Sequence, residues 1–282
     1  MNNEERRNYL GGSEIAAAMG LNRWQTPLKL WAVKTGVVAP DNLDDVEAVQ
    51  IGIELEEPVA KMFEKKTGFK VRKAPCLYIG EEPWMRCQVD RLLTGTDELL
   101  EVKTCSAWKE KDWDNEEIPI EYILQVSWQL MITGRKVGWI AVLIGGQKFR
   151  YKKILADQEL FDKMTEAAKV FWNLVQSNTP PGPMGDDNSF LVELFPRGND
   201  QMLMASQEVT DLIGKLNLVK SEIKTCIDTK DELEARLKAI IGEAGGIQTP
   251  EFIARWINVK GSTYTVTKPD SRQLRITKIG GR

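Results

Sequence analysis

The stretch Thr179-Pro180-Pro181-Gly182-Pro183-Met184-Gly185-Asp186-Asp187-Asn188 can continue neither a helix nor an interior strand, because its prolines lack amide donors and its glycines favour turns. It splits the chain into a body over residues 1–178, a linker over 179–204 and a C-terminal part over 205–282. A body of that length can bury a full hydrophobic core. The body therefore has to be read as one folding unit, and the C-terminal part as a segment of different character.

The 282 residues contain no histidine. That excludes Ser-His-Asp and Cys-His hydrolysis, His-ligated zinc and two-histidine iron sites. Any catalysis must draw on Asp, Glu, Lys and the backbone. Cys76, Cys87, Cys105 and Cys226 show no C-x-x-C spacing and read as small buried hydrophobes rather than metal ligands or disulfides. No apolar run reaches the length of a membrane span, and Met1 to Tyr9 is polar and charged with no apolar leader. A cytoplasmic protein with no membrane partner is expected.

Periodicity gives the body its elements. Ser13 to Met19, Pro27 to Lys34 and Glu56 to Lys66 have helical spacing, the last ending at Gly68. The period then changes to two, with strands expected over Cys76 to Ile79, Met85 to Leu92 and Leu99 to Thr104. A helix over Pro119 to Thr133, a hairpin of Val137 to Ile144 and Lys148 to Ile154 turning at Gly145-Gly146, and a helix over Asp157 to Gln176 complete it. This order specifies an α/β (α+β) core with a central mixed sheet flanked by helices.

Beyond the linker, Val209, Leu212, Leu216, Val219, Ile223, Cys226, Lys230, Leu233, Leu237 and Ile240 follow a heptad seam. One helix from Ser206 to Glu243 fits it. Thr229-Lys230-Asp231-Glu232 also fits a capping box, and the seam's interruption at Cys226 and Lys230 favours a helical hairpin. Phe252 to Val259 and Tyr264 to Thr267 read as a short β tail. Net charge is −3, yet Pro250 to Arg282 carries seven basic residues against two acidic ones, leaving +5 there and −8 on the rest. A basic segment on an acidic chain can track phosphates or be a solvated tail.

Chemistry concentrates at Asp90 and Glu101-Val102-Lys103. Glu101 and Lys103 are i and i+2 and share a strand face, and an antiparallel neighbour can bring Asp90 beside them. Two carboxylates on one rim are costly unless a cation neutralises them, and oxygen ligands with open positions suit Mg²⁺. Such a site can hydrolyse a phosphodiester, with Lys103 orienting water or stabilising charge. From these residues alone, a cross-strand ion pair on an exposed strand remains the rival reading.

The surrounding residues narrow the choice. Gly11-Gly12-Ser13-Glu14-Ile15-Ala16-Ala17, Thr26-Pro27-Leu28-Lys29-Leu30-Trp31, Lys34-Thr35-Gly36, Gly52-Ile53-Glu54-Leu55-Glu56-Glu57-Pro58-Val59, Gln88-Val89-Asp90, Leu100-Glu101-Val102-Lys103-Thr104 and Tyr122-Ile123-Leu124-Gln125-Val126 occur in an order covering residues 6 to 154. In these the sequence resembles the YqaJ and lambda exonuclease family of phage-type recombination exonucleases, within the PD-(D/E)xK nuclease superfamily. Valine stands before Asp90 where the superfamily name has proline, and the resemblance fades after about residue 178.

The resemblance implies a Mg²⁺-dependent exonuclease, with Mn²⁺ able to substitute and two ions per site, that digests one strand of linear duplex DNA from its 5′ end. It implies Asp90, Glu101 and the Val102 carbonyl as metal ligands, Glu56 holding a second ion, Lys103 on the nucleophilic water and Gln125 beside it. Arg6, or Arg7 by a one-residue shift, and Ser13 would hold the terminal 5′-phosphate. The other readings are an exposed helix carboxylate for Glu56, a capping or surface amide for Gln125 and an N-cap for Ser13. Trp24, beside Arg23, can stack at the DNA end or anchor in the core. A ring-shaped homotrimer, a single-strand annealing protein as partner and a phage or prophage host are implied as well. An endonuclease of the same superfamily, or a non-catalytic binding module working through the heptad segment, stands as the alternative.

Overall fold

A computed structural model describes residues 3–43, 45–114, 117–199, 201–263, 265–267 and 272–276. The chain divides between Leu194 and Phe195 into two compact units. The first runs α1 (Asn3–Arg6), α2 (Ile15–Ala18), α3 (Pro27–Lys34), α4 (Glu47–Thr67), β1 (Val71–Lys73), β2 (Tyr78–Ile79), β3 (Arg86–Cys87), β4 (Arg91–Leu93), β5 (Glu98–Cys105), a 3-10 turn (Ala107–Trp113), α5 (Ile120–Thr133), β6 (Val137–Ile144), β7 (Lys148–Leu155), α6 (Gln158–Gln176), a second 3-10 turn (Gly185–Asp187) and α7 (Asn188–Leu194).

The central sheet has the order β1-β4-β5-β6-β7, with β5 and β6 parallel and every other neighbour antiparallel. β2 and β3 form a separate antiparallel ribbon. The parallel pair needs a crossover, and α5 supplies it. Residues 99–102 of β5 are all buried because both sheet faces are covered. Leu99, with Ile140 and Val142 of β6, packs in the core that includes Leu124, Val126 and Leu130 of α5 and Phe161, Met164 and Ala168 of α6. Leu100 and Val102 face the other way, into a smaller core with Val59, Ala60 and Phe63 of α4. The alternation of β5 thus sends Glu101 and Lys103 to the α5 side.

Local chemistry explains the elements. Thr26 caps α3 by accepting the Lys29 N–H at 3.1 Å with Pro27 as the first helical residue, and Asp157 caps α6 through the Leu160 N–H at 3.3 Å. The β6–β7 turn uses Gly145 and Gly146 at φ +57° and +71°, the left-handed pair that a tight hairpin requires. Gly138 is needed for a different reason: a Cβ there would lie 2.5 Å from Val126 Cγ1, so α5 rests directly on the β6 backbone.

Several expectations are corrected. The strand read over Met85 to Leu92 is two strands in different sheets, separated by the bend at Asp90. β1 was not foreseen, since two of its three residues are charged and it lies on the sheet edge. α4 begins at Glu47 and carries Pro58 inside it. The helix read from Ser13 spans only Ile15–Ala18, with Glu14 at the N-cap position. The linker is also shorter. Residues 185–194 pack on the body, where the Asp187 carboxylate is fully buried, accepts from the Thr26 hydroxyl and accepts the Met184 N–H at 2.7 Å, and Phe190 joins the core. Of the four cysteines only Cys87 is buried; Cys76 and Cys226 are exposed and Cys105 is half-buried.

The second unit contains α8 (Gln207–Ile241) and the antiparallel pair β8 (Gly246–Gln248) and β9 (Ile253–Arg255). α8 is one continuous helix and not a hairpin. The Thr229 hydroxyl, which a capping box would turn toward Glu232, donates instead to the Thr225 carbonyl at 2.9 Å, and the helix runs unbroken through this point. Its seam is largely exposed, with Leu212 at 64% and Ile240 at 70%. Tyr264 lies outside the described residues, and residues 265–267 form no strand. Among the described residues no helix is long and apolar enough to cross a membrane.

The contact at Gly138 gives a stability test. Gly138→Ala is expected to cost about 1–3 kcal/mol by overpacking. Adding Val126→Ala should make the pair cost less than the two substitutions separately. Urea unfolding of the four chains checks this.

Candidate active site

The site is built on the α5-facing side of β5. Glu101 is 2% exposed, and both its oxygens are engaged. Oε1 accepts from Gln125 Nε2 at 2.5 Å and lies 2.7 Å from Lys103 Nζ, while Oε2 accepts from Gln129 Nε2 at 2.7 Å. Gln125 and Gln129 are one turn apart on α5, so the crossover helix presents two amides to one buried carboxylate. Gln129, which also donates to the Gln88 carbonyl at 2.9 Å, was missed from sequence. Its spacing from Gln125 was the available signal.

Asp90 sits in the bend before β4, and its Oδ2 accepts the Val102 N–H at 2.8 Å. The antiparallel β4–β5 pairing, Arg91 opposite Leu100, brings it there as expected. Burial pushes its carboxyl up to about 8 from an ordinary 3.8; the Glu101 charge adds to this, and Lys103 and the Val102 amide only partly offset it. Burial pulls the Lys103 ammonium down, but Glu101 and Asp90 outweigh it and leave it above its ordinary value. The Cys87 thiol, on the wall of the same cleft, is pushed up to about 12 by burial and by Glu101, and so stays protonated.

Glu56 approaches this group from α4 without joining it. Its Oε1 pairs with Arg91 Nη1, while Arg91 Nη2 reaches Glu57 Oε2 at 3.0 Å and Nη1 also donates to the Asp90 carbonyl at 2.7 Å. Arg91, 3% exposed, follows Asp90 directly and was not picked out from sequence. Among the described residues no three acids gather as a metal-binding cluster.

Asp90, Glu101, Lys103 and Gln125 line a cleft of about 830 Å³ together with Arg6, Ser13 and Trp24. Its N-terminal wall is organised by Lys34, whose Nζ donates to the Arg6 and Tyr9 carbonyls at 2.6 Å each and to Glu14 Oε2 at 2.8 Å. Burial pulls the Lys34 ammonium down, and Glu14 works against that shift. Glu14 also accepts the Gly11 N–H at 2.9 Å. The Lys34–Glu14 pair, missed as a unit, therefore shapes the Gly11–Ala17 segment. Ser13 is exposed and does not cap α2; Glu14 holds that position. Arg6 is 44% exposed with its nearest carboxylate, Glu14, at 3.9 Å. Trp24 is not a core anchor: it is 53% exposed, with Lys109 Nζ 4.2 Å from its ring centroid.

The donor set suits one divalent cation at Asp90 and Glu101, because desolvation and the Glu101 charge push the half-buried Asp90 carboxyl far above its ordinary range, a shift that a cation would oppose. It suits a second at Glu56 less well, because Arg91 already neutralises that carboxylate. A carboxyl raised in the folded state favours folding fully below pH 3.8, and that contribution is lost as pH rises through about 8. Asp90→Asn cannot ionise and keeps an oxygen for the Val102 N–H. In EDTA it should be more stable than wild type at alkaline pH, by roughly 2–4 °C for each kcal/mol recovered. Thermal melts from pH 4 to 9 should show the gap closing toward acid.

Residues 3–136 match the model of the YqaJ-like viral recombinase domain. The chain is 37% identical over 241 residues to the uncharacterized protein YqaJ of Bacillus subtilis (strain 168), covering 83% of this chain and 75% of that one. An alkaline exonuclease, LHK-Exo of Laribacter hongkongensis, matches the fold with TM-score 0.53 and 19% identity over 62% of this chain and 91% of that one. The structure of LHK-Exo in complex with dAMP matches at TM-score 0.52 and 21% identity, over 62% and 92%. With Asp90, Glu101 and the crossover helix α5 inside the matched segment, and with a relative 37% identical over most of both chains, the chain belongs to the YqaJ-like viral recombinase domain family.

Proposed function

We propose that the chain is a metal-dependent 5′-to-3′ exonuclease acting on linear double-stranded DNA and leaving 3′ single-stranded overhangs for homologous recombination. The observation that carries this is the assembly of Asp90, Glu101, Lys103 and Gln125 in one cleft with Arg6 and Ser13 on its far wall. The neighbour LHK-Exo is an alkaline exonuclease and is seen with dAMP, a deoxynucleotide of the kind such digestion releases.

In this reading Asp90, Glu101 and the Val102 carbonyl hold Mg²⁺, or Mn²⁺ in its place. When bound, the ion supplies positive charge to the scissile phosphate and lowers the pKa of water. Glu56 contributes to a second ion if Arg91 releases it. Lys103, whose ammonium is favoured by Glu101 and Asp90, positions the nucleophilic water or helps deprotonate it, and stabilises the charge on the phosphate oxygen. Gln125 fixes the Glu101 carboxylate and with it the lysine. Water oxygen bonds to phosphorus as the P–O3′ bond breaks and O3′ takes up a proton. The shortened strand again carries a 5′-phosphate, which Arg6 and the exposed hydroxyl of Ser13 can receive. Trp24 lines the same cleft, which supports a stacking role at the DNA end. We extend the proposal to a ring-shaped homotrimer around DNA, to a single-strand annealing protein as partner and to the cytoplasm of a phage or prophage host.

End-labelled, 5′-phosphorylated linear duplex tests this against circular DNA, with Mg²⁺ or EDTA. The expected result is release from the 5′ end that requires Mg²⁺, spares circles and falls about 10²–10³-fold in Lys103→Ala. Equal cutting of circles would indicate an endonuclease, and absence of metal-dependent cleavage a binding module.

A further inference from the structure

The 3-10 turn Ala107–Trp113 follows β5 directly and is fastened along its length. The Gly145 N–H donates to the Cys105 carbonyl at 2.7 Å at its start. Lys148 and Arg150 reach Glu110 at 2.6 and 3.3 Å, and Arg23 pairs with Asp112 at 2.8 Å. At its end Arg150 donates to the Trp113 carbonyl at 2.6 Å, and the buried Trp113 ring stacks on Tyr122 with centroids 5.5 Å apart.

On this fastened segment Trp108 is 95% exposed. Its ring contributes nothing to the core, so the fold does not account for it, and a large indole held in water on a rigid support is a pre-formed contact surface. The next residue, Lys109, pairs with no carboxylate among the described residues and lies over the half-exposed Trp24 ring, on the wall of the catalytic cleft. Trp108 lies five positions after Lys103, so their Cα atoms are within about 18 Å of each other. A flat aromatic face beside a cation that has no carboxylate partner is what an unpaired base and its phosphate bind, and the contact tolerates any sequence because every base has a π-face.

We propose that Trp108, with Lys109 and Trp24, forms a stacking platform for unpaired bases of single-stranded DNA at the mouth of the cleft. The proposal rests on the nuclease reading only for why DNA is there. The test is fluorescence anisotropy of a labelled oligodeoxythymidine with the full chain in EDTA, comparing wild type, Trp108→Ala and Trp108→Phe, with thermal melts of each. Trp108→Ala is expected to lose about 5- to 150-fold in affinity with an unchanged melting point, and Trp108→Phe to keep most of the affinity. Unchanged affinity in Trp108→Ala, or no affinity in wild type, would overturn the platform. Cleavage of linear duplex is recorded separately. If wild type cleaves but binding does not depend on Trp108, only the platform fails; if binding depends on Trp108 but wild type never cleaves, only the nuclease reading fails.

Discussion

The structure turns on one buried carboxylate, Glu101. It is held by Lys103 on its own strand and by Gln125 and Gln129 on the crossover helix, and its charge adds to the upward pKa shift that desolvation gives the neighbouring Asp90. Three donors around one anion compensate its burial. Among the described residues Asp90 has the Val102 amide and a lysine shared with Glu101, one cation between two carboxylates. That shortage is what a divalent cation would relieve, and it ties the sheet, the helix and the chemistry to one electrostatic requirement.

The fold meets this requirement through the alternation of β5. Even-numbered residues Leu100 and Val102 anchor α4 beneath the sheet, while Glu101 and Lys103 face α5 above it. Gly138 lets α5 sit close enough on β6 for Gln125 and Gln129 to reach across. A second buried cation, Lys34, does comparable work at the N-terminus, where it draws the Arg6 and Tyr9 carbonyls and Glu14 together and so sets the opposite wall of the cleft.

Much of this was legible in sequence. The i, i+2 spacing of Glu101 and Lys103 put them on one strand face, where an antiparallel neighbour can bring Asp90 beside them, and the apolar run Val137–Ile144 read as a strand, as β6 is. What was not legible depended on partners distant in the chain. Arg91 reads as an ordinary strand cation until α4 brings Glu56 and Glu57 to it. Asp187 reads as linker until the Thr26 hydroxyl donates to its buried carboxylate. The break expected at Thr229 failed because its hydroxyl bonded backward to the Thr225 carbonyl within one continuous helix. Local pattern specified element type well and could not choose between two local solutions of similar energy.

The most direct test of the central claim is the thermal stability of wild type, Asp90→Asn and Glu101→Gln at pH 7.5, with and without Mg²⁺. If the two carboxylates form a site short of positive charge, Mg²⁺ should raise the wild-type melting point, with stabilisation approaching about 2.7 kcal/mol at a hundredfold excess over Kd. Both variants should lose that response. An equal Mg²⁺ shift in all three chains, or none in wild type, would contradict the account.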